Sequence, residues 1–460
     1  MAKLILKLLP KTTDDKLVLW LCYLAATIVL MDLTSVNIAL PTISEYFKLG
    51  ATKVSWLLMA SMLSATSFAI IAGRIIDNYD VRSILSLGFV IFIIGTLLSS
   101  LVKNFEILIV IRFFQGFGEA LLYVVGPAFI RKHLPIEKQQ LAYGIWMAST
   151  AVGISFGPVI GGLIISMFSW HGVFLINFFL SLLGLTLMAL RGLINFKVKT
   201  QVKSADYLGA FYSFITLVSF IVALNAAHDY GLVNVLTFIS LSNFLVFMFL
   251  FFRREKKIVY PIFDLKLFRA RNFNLAAIGF FIFFVVNVGS RFLRPFYFEN
   301  VKMLSPQTSG LLMMISPLVM LIISPFSKAI SNKIKPRAIL IIANVLLAAS
   351  MFWFSKWNAG TASTELIAAM ILLGLSMGLY YPVNSFVGMK KLSPIQSGMG
   401  SAVISASKSL GKMMGVLLFA VYFSTLANDT VNHGMAYQNT FLFGSFIAIG
   451  GMLLSLGLKK

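Results

Sequence analysis

Asp32 lies deep in the apolar run 17–41, about 20 Å from its start at 1.5 Å of helical rise per residue. A carboxylate at such depth is expensive unless it is paired, protonated or turned toward water, and is by default a functional group. It can take up and release a proton, or act as a hydrogen-bond partner for a neighbouring helix. Asn37 follows on the same helix as a polar neighbour. A second apolar run, 106–130, carries Arg112, Gln115 and Glu119 at i, i+3 and i+7, which is one face of a helix. Arg112 and Glu119 stand about two turns apart, too far for a simple pair within the helix. Arg112 is then free to attract a carboxylate from another helix. Glu119 can titrate, bind a cation or neutralise a nearby base.

The run 273–298 carries Asn287, Arg291 and Arg294 at i, i+4 and i+7, and the run 398–424 puts Ser401, Ser405, Lys408 and Lys412 on one face. No acidic residue accompanies these cations before Glu299. A basic wall of this kind suits a carboxylate or phosphate, to which arginine gives bidentate contacts. Two other uses are open: the bases can pair with Asp32 and Glu119 as a gate, or Arg291 and Arg294 can snorkel to a membrane surface.

Gly153, Gly157, Pro158, Gly161 and Gly162 crowd into the apolar run 139–167. In a soluble helix each glycine costs about 1 kcal/mol relative to alanine. In lipid, small residues let two helices approach closely, and proline is tolerated. The stretch reads as a packing seam and pivot between helices that slide. A loop from Gly73 to Arg82 carries Arg74 and Asp77. Its expected role is conformational, with Asp77 at a helix N-terminus or bridging to a base.

The elements that position these residues follow from composition. Of 460 residues, 59% are hydrophobic and 12% charged, and mean hydropathy is +0.90. No soluble fold of this length hides so much apolar surface. The expected fold class is an all-α polytopic membrane protein with fourteen spans, at 17–41, 53–76, 83–102, 106–130, 139–167, 172–195, 207–226, 233–252, 273–298, 308–331, 338–355, 364–387, 398–424 and 439–458. Each meets the requirement of about 20 apolar residues. The net charge of +22 is distributed as topology rather than as a nucleic-acid footprint: segments on the N-terminal side of the membrane hold 28 of the 38 Lys and Arg, opposite segments hold 5, and 5 lie within spans. The positive-inside rule places both termini in the cytoplasm, and some of the charge can meet anionic lipid.

Gly73-Arg-Ile-Ile-Asp-Asn-Tyr-Asp has a degenerate echo in Ser327-Lys-Ala-Ile-Ser-Asn-Lys-Ile. The echo divides the chain into a cytoplasmic tail (1–16), a six-helix half (17–195), two inserted helices (196–252), a basic cytoplasmic linker (253–272) and a second six-helix half (273–460). Repeated halves with a substrate path between them are how secondary transporters are built. His133, His171, His228 and His433 are expected in loops and lack metal-ligand spacing. Cys22 is the sole cysteine, so no intrachain disulfide forms. No metal, cofactor or nucleic acid is expected. A membrane enzyme would need a catalytic group with a large loop or metal site, and neither is found.

Five stretches resemble, in order, the motifs of the fourteen-span drug:proton antiporter branch of the major facilitator superfamily: Met31–Pro41, Gly73–Arg82, Arg112–Ala120, Gly153–Leu163 and Trp170–Asn177. The resemblance implies a monomeric inner-membrane exporter, driven by the proton gradient, in which Asp32 falls on the motif's acidic position. The family links the arginine corresponding to Arg112 to proton transfer. Glu119 departs from a position that is usually small in the branch, and Asp80 stands where a glycine is usual. The implied function is proton-coupled efflux of many organic molecules. Alternatives are dedicated export of an anionic metabolite such as a carboxylate siderophore or acidic lipid, or, from another class, a channel or non-transporting receptor. The proposed division of labour gives proton exchange to Asp32 and Glu119, their coupling to Arg112, and substrate contact to Asn37, Gln115, Asn287, Arg291, Arg294, Lys408 and Lys412.

Overall fold

The computed structural model describes residues 12–194, 207–231, 233–255, 270–390, 394–429 and 433–458. Their regular structure is helical: α1 (Thr13–Phe47), α2 (Ala51–Asn78), α3 (Val81–Leu101), α4 (Phe105–His133), α5 (Ile136–Phe168), α6 (His171–Leu190), α7 (Tyr207–Tyr230), α8 (Val235–Glu255), α9 (Arg271–Asn300), α10 (Pro306–Lys333, with one 3-10 turn at Ser324–Phe326), α11 (Pro336–Phe354), α12 (Ser363–Met389), α13 (Pro394–Asp429) and α14 (His433–Leu456). Twelve of these are long and apolar enough to cross a membrane; α7 offers only the shorter apolar stretch Phe211–Leu224, and α2 is outside the twelve. The tail through Lys11, the segment 195–206 and the linker residues 256–269 lie outside the described residues.

Helices are the answer that lipid imposes, because each backbone N–H and C=O must find its partner within the segment. Pro41, Pro127, Pro158, Pro295 and Pro382 sit inside helices without ending them. Short polar side chains fold back onto carbonyls one turn earlier, as Thr27 does to Tyr23 at 3.1 Å and Thr96 to Phe92 at 2.9 Å. Helix starts are capped where sequence supplies an acceptor: Asn104 accepts from Ile107 N at 2.9 Å and Ser305 from Thr308 N at 3.3 Å.

The chain forms two compact units. Unit one comprises residues 1–36 and 56–254, and unit two comprises 37–55 and 255–460. The two helices after α6 therefore group with the first unit, and the α1–α2 turn groups with the second. Unit one packs α3 against α4 and α6, around a core that includes Phe89, Phe92, Leu121 and Phe129. Unit two packs α9 against α13, and α11 against α12 and α14.

Each unit contains a close helix crossing permitted by glycines four residues apart. In unit one, a Cβ built at Gly153 would land on the Thr27 carbonyl, and one at Gly157 on the Thr34 hydroxyl. Only glycine lets α5 lie this close to α1, where Thr34 Oγ1 donates to the Gly153 carbonyl at 3.2 Å and Thr27 Oγ1 to Ser149 O at 3.0 Å. Gly161 and Gly162 continue the seam, buried along with Pro158. In unit two, Cβ atoms at Gly411 and Gly415 would meet the carbonyls of Phe281 and Val285, so α13 lies as close to α9. Small residues at a four-residue spacing are the common solution for such close approach.

Candidate functional site

Unit one buries a charged cluster beside the glycine crossing. Arg112 of α4 is fully buried, and its Nη1 donates to Asp32 Oδ2 of α1 at 2.8 Å. Its Nη2 donates to Ser61 Oγ of α2 at 3.0 Å, and Nε to the Leu57 carbonyl at 3.5 Å. The Phe174 ring closes the other side, 5.7 Å from the guanidinium carbon. Asp32, also fully buried, receives a second bond at its other oxygen from Asn177 Nδ2 of α6 at 3.1 Å. Asn177 is braced in turn by donating to Val173 O. α2 comes near enough to supply Ser61 because Gly116 of α4 packs on its backbone: a Cβ there would sit 2.5 Å from Ser61 O.

Glu119 corrects one expectation. The two-turn spacing does not keep it from Arg112, since Nη1 and Oε1 stand 3.9 Å apart. Helical side chains lean toward the N-terminus, which carries Glu119 back over the turn that separates it from Arg112. The contact is an ion pair without a hydrogen bond, and Glu119 Oε1 is buried with no hydrogen-bond partner. Gln115, on the same face, is fully buried, and neither amide atom has a partner. Asn37 is buried with Oδ1 likewise unpartnered, but it belongs to the segment grouped with unit two.

The cations of unit two sit in a different setting. Arg294 is 2% exposed and does not snorkel. Its Nε donates back to the Ser290 carbonyl at 3.2 Å, its Nη1 to the Met370 sulfur at 2.9 Å, and it lies 5.8 Å from the Phe354 ring centre. A guanidinium inside a helix bundle takes whatever acceptors surround it when no surface is within reach. Arg291 Nη2 approaches Asn287 Oδ1 at 3.4 Å, leaving Asn287 Nδ2 buried without a partner. The Lys408 ammonium rests 4.2 Å above the Phe280 ring and that of Lys412 5.6 Å above Phe284, both cation–π contacts. Among the described residues none of these four bases forms an ion pair. Aromatic rings line the same helices: Phe284 stacks on Tyr381 at 5.1 Å, and Phe283 on Tyr380 at 4.1 Å.

Of the loop residues, the side chains of Gly73, Arg74 and Asp77 lie outside the described residues. The backbone nonetheless corrects one of the two expected placements of Asp77, which falls in the last turn of α2 rather than at a helix start. Asp80 is the N-cap instead, its Oδ1 accepting from Arg82 N at 3.2 Å. A carboxylate can do this and glycine cannot. Arg82 reaches Asp15 at the start of α1, 2.8 Å away. The histidines expected in loops end or open helices: His133 stacks on Phe129 in the last turn of α4, and His171 begins α6.

Asn177, Ser61 and the glycine pair of α13 are parts that the sequence reading passed over. Asn177 closes one of the quoted motifs, and the four-residue spacing of Gly411 and Gly415 is visible in the chain. Ser61 left no signal, because its part is set by how α2 and α4 meet.

A sequence model of the Major Facilitator Superfamily matches residues 22–416. The riboflavin transporter RibZ of Clostridioides difficile is 29% identical over 440 residues, 94% of each chain. The lincomycin resistance protein LmrB of Listeria monocytogenes is 25% identical over 452 residues, 95% of each chain. The multidrug resistance protein Stp of Mycobacterium tuberculosis is 25% identical over 402 residues, 87% of this chain and 73% of Stp. Among solved structures, a POT family transporter in complex with 5-aminolevulinic acid superposes with a TM-score of 0.73 at 16% identity, covering 98% of both chains, a likeness of fold alone.

Proposed function

The chain belongs to the Major Facilitator Superfamily, whose relatives here are transporters and not enzymes, and from that premise we propose that it is a proton-coupled exporter of organic small molecules. In this reading fourteen helices span the cytoplasmic membrane, both termini are cytoplasmic, the protein works as a monomer, and the proton gradient supplies the energy without a cofactor. The names of LmrB and Stp support a drug-efflux function.

The observation that carries the reading is the ratio of charges around Arg112. One guanidinium faces two carboxylates, all three buried. Fully ionised, the trio holds an odd negative charge in a medium that penalises it by several kcal/mol. A proton on Glu119 cancels that charge. Asp32 is suited to remain the anion, since both its oxygens accept charge-stabilising bonds. Glu119 is suited to exchange, having no hydrogen bond at Oε1. Loss of its proton then needs either a cation nearby or a rearrangement that admits water. Proton and cationic substrate become alternatives for one site, and such competition couples inward proton flow to outward transport. The unpartnered amide of Gln115 is available to a ligand or water on the same face. The glycine crossing at Gly153 and Gly157, with Pro158, Gly161 and Gly162, is the pivot that moves α5 over α1.

A second reading is favoured by the four unpaired bases of unit two, with the free Asn287 Nδ2: dedicated export of an anionic metabolite. RibZ, a relative named for transport of one compound, is consistent with this reading. Counterflow in reconstituted vesicles separates the possibilities. Exchange of a lipophilic cation supports proton-coupled efflux. Exchange of an amphipathic carboxylate alone, weakened by Arg294→Gln or Lys408→Gln, supports the second reading. Flux without counterflow makes the protein a channel, and no flux a receptor.

A further inference from the structure

Unit two contains a cavity of about 550 Å³ beside the start of α11, lined by none of the four bases described above. Lys335 and Arg337, at the start of α11, and Lys390, just past α12, line one part of it. Ile341, Phe386 and Leu458 line another, and no carboxylate is among the lining residues. None of the three bases forms an ion pair among the described residues. The Lys390 ammonium lies 5.8 Å above the Phe386 ring, which is itself 53% exposed. A fourth base, Arg271 at the start of α9, reaches the chain beside Gly457, next to Leu458. Lys459 and Lys460 follow in sequence.

We infer that this cavity is a binding site for an anionic phospholipid. The phosphate would lie among Lys335, Arg337 and Lys390, and an acyl chain would run over Ile341, Phe386 and Leu458. Two features favour this ligand over a free anion or an apolar molecule. Among the described residues the bases have no counter-charge, so an anion gains a full set of charge-assisted contacts. The floor is apolar and includes a ring left open, so a ligand without a hydrocarbon part would leave that surface uncovered. All the bases belong to segments that the positive-inside pattern assigns to the cytoplasm, whose leaflet carries anionic lipid. A bound lipid would contact α9, α11, α12 and the chain end after α14 at once, and so would hold these four elements in one arrangement. The site rests on the orientation proposed above and on no part of the proton mechanism.

The test is lipid retention by the purified full chain, measured by native mass spectrometry after exchange into detergent with phosphatidylglycerol, phosphatidylcholine or inorganic phosphate. Phosphatidylglycerol should be retained in preference to phosphatidylcholine, and phosphate should not compete at millimolar concentration. The triple variant Lys335→Gln, Arg337→Gln, Lys390→Gln should weaken retention on the order of a hundredfold, at about fivefold per base. Ile341→Trp, which fills the cavity and keeps the charges, should weaken it too. Lys328→Gln with Lys333→Gln removes charge from α10 outside the cavity and should leave it unchanged. The inference is overturned by equal retention of the two lipids, by competition from phosphate, by loss of equal size in the α10 variant, or by full retention in Ile341→Trp.

Discussion

Each unit buries an arginine, and the two are treated in opposite ways. Arg112 in unit one meets two carboxylates, a hydroxyl, a carbonyl and a ring. Arg294 in unit two meets a carbonyl, a thioether sulfur and a ring, and no carboxylate among the described residues. The first is overcompensated by one negative charge, and the second is undercompensated by one positive charge. Burying a charge is tolerable where partners replace water; in the proposed reading this difference lets unit one hold a removable proton and unit two accept an anion. The comparison teaches that burial alone does not assign a role to an arginine: the partners around Arg112 and Arg294 differ in charge, although both side chains are withdrawn from the surface.

Three sets of substitutions test that contrast, by thermal unfolding of the purified protein in one detergent. The largest effect should come from Arg112→Met, which strands Asp32 and Glu119 without a cation. Breaking a buried pair from one side costs about 3–5 kcal/mol, and the variant should also lose proton-driven transport. Arg294→Met should move the other way, gaining about 1–4 kcal/mol as an uncompensated charge gives way to a side chain of similar length. If both variants lose stability equally, the two arginines are equivalent and the contrast is wrong. The smallest of the three separates what the halves share. Gly157→Val and Gly415→Val should each cost about 1–3 kcal/mol by overpacking, since in both a Cβ would collide with the facing helix. A loss in only one would show that the crossings of α1 with α5 and α9 with α13 are not counterparts.

The helices were legible because lipid writes them as long apolar runs, and the boundaries read from sequence fall within a few residues of those observed. The widest misses are the end of α1, which runs to Phe47 where the apolar run stops at Pro41, and the start of α14, at His433 rather than 439. Proline inside a membrane helix is no stop signal when neighbours satisfy the freed carbonyl. Arg112, Gln115 and Glu119 were legible as one face, since that depends on periodicity alone. The pairing of Arg112 with Asp32, 80 residues away, and the roles of Ser61 and Asn177 were not, because they depend on which helices become neighbours. Glu119 was misjudged by counting turns and neglecting the lean of the side chains. Asp80 looked like a defect in a motif, and it is a cap. The seam at Gly411 and Gly415 is masked in the sequence by Lys412 between them, a charge inside a span that reads as a site rather than as packing.

The central claim is that Glu119 carries a proton that Arg112 and Asp32 make exchangeable. It is tested most directly by proton release from the purified protein on addition of a lipophilic cation, in weakly buffered solution with a pH indicator. Wild-type protein should release protons, and Glu119→Gln, which keeps the side chain's shape and leaves the Arg112–Asp32 pair intact, should bind the cation and release none. Release from Glu119→Gln equal to that of the wild type would contradict the account.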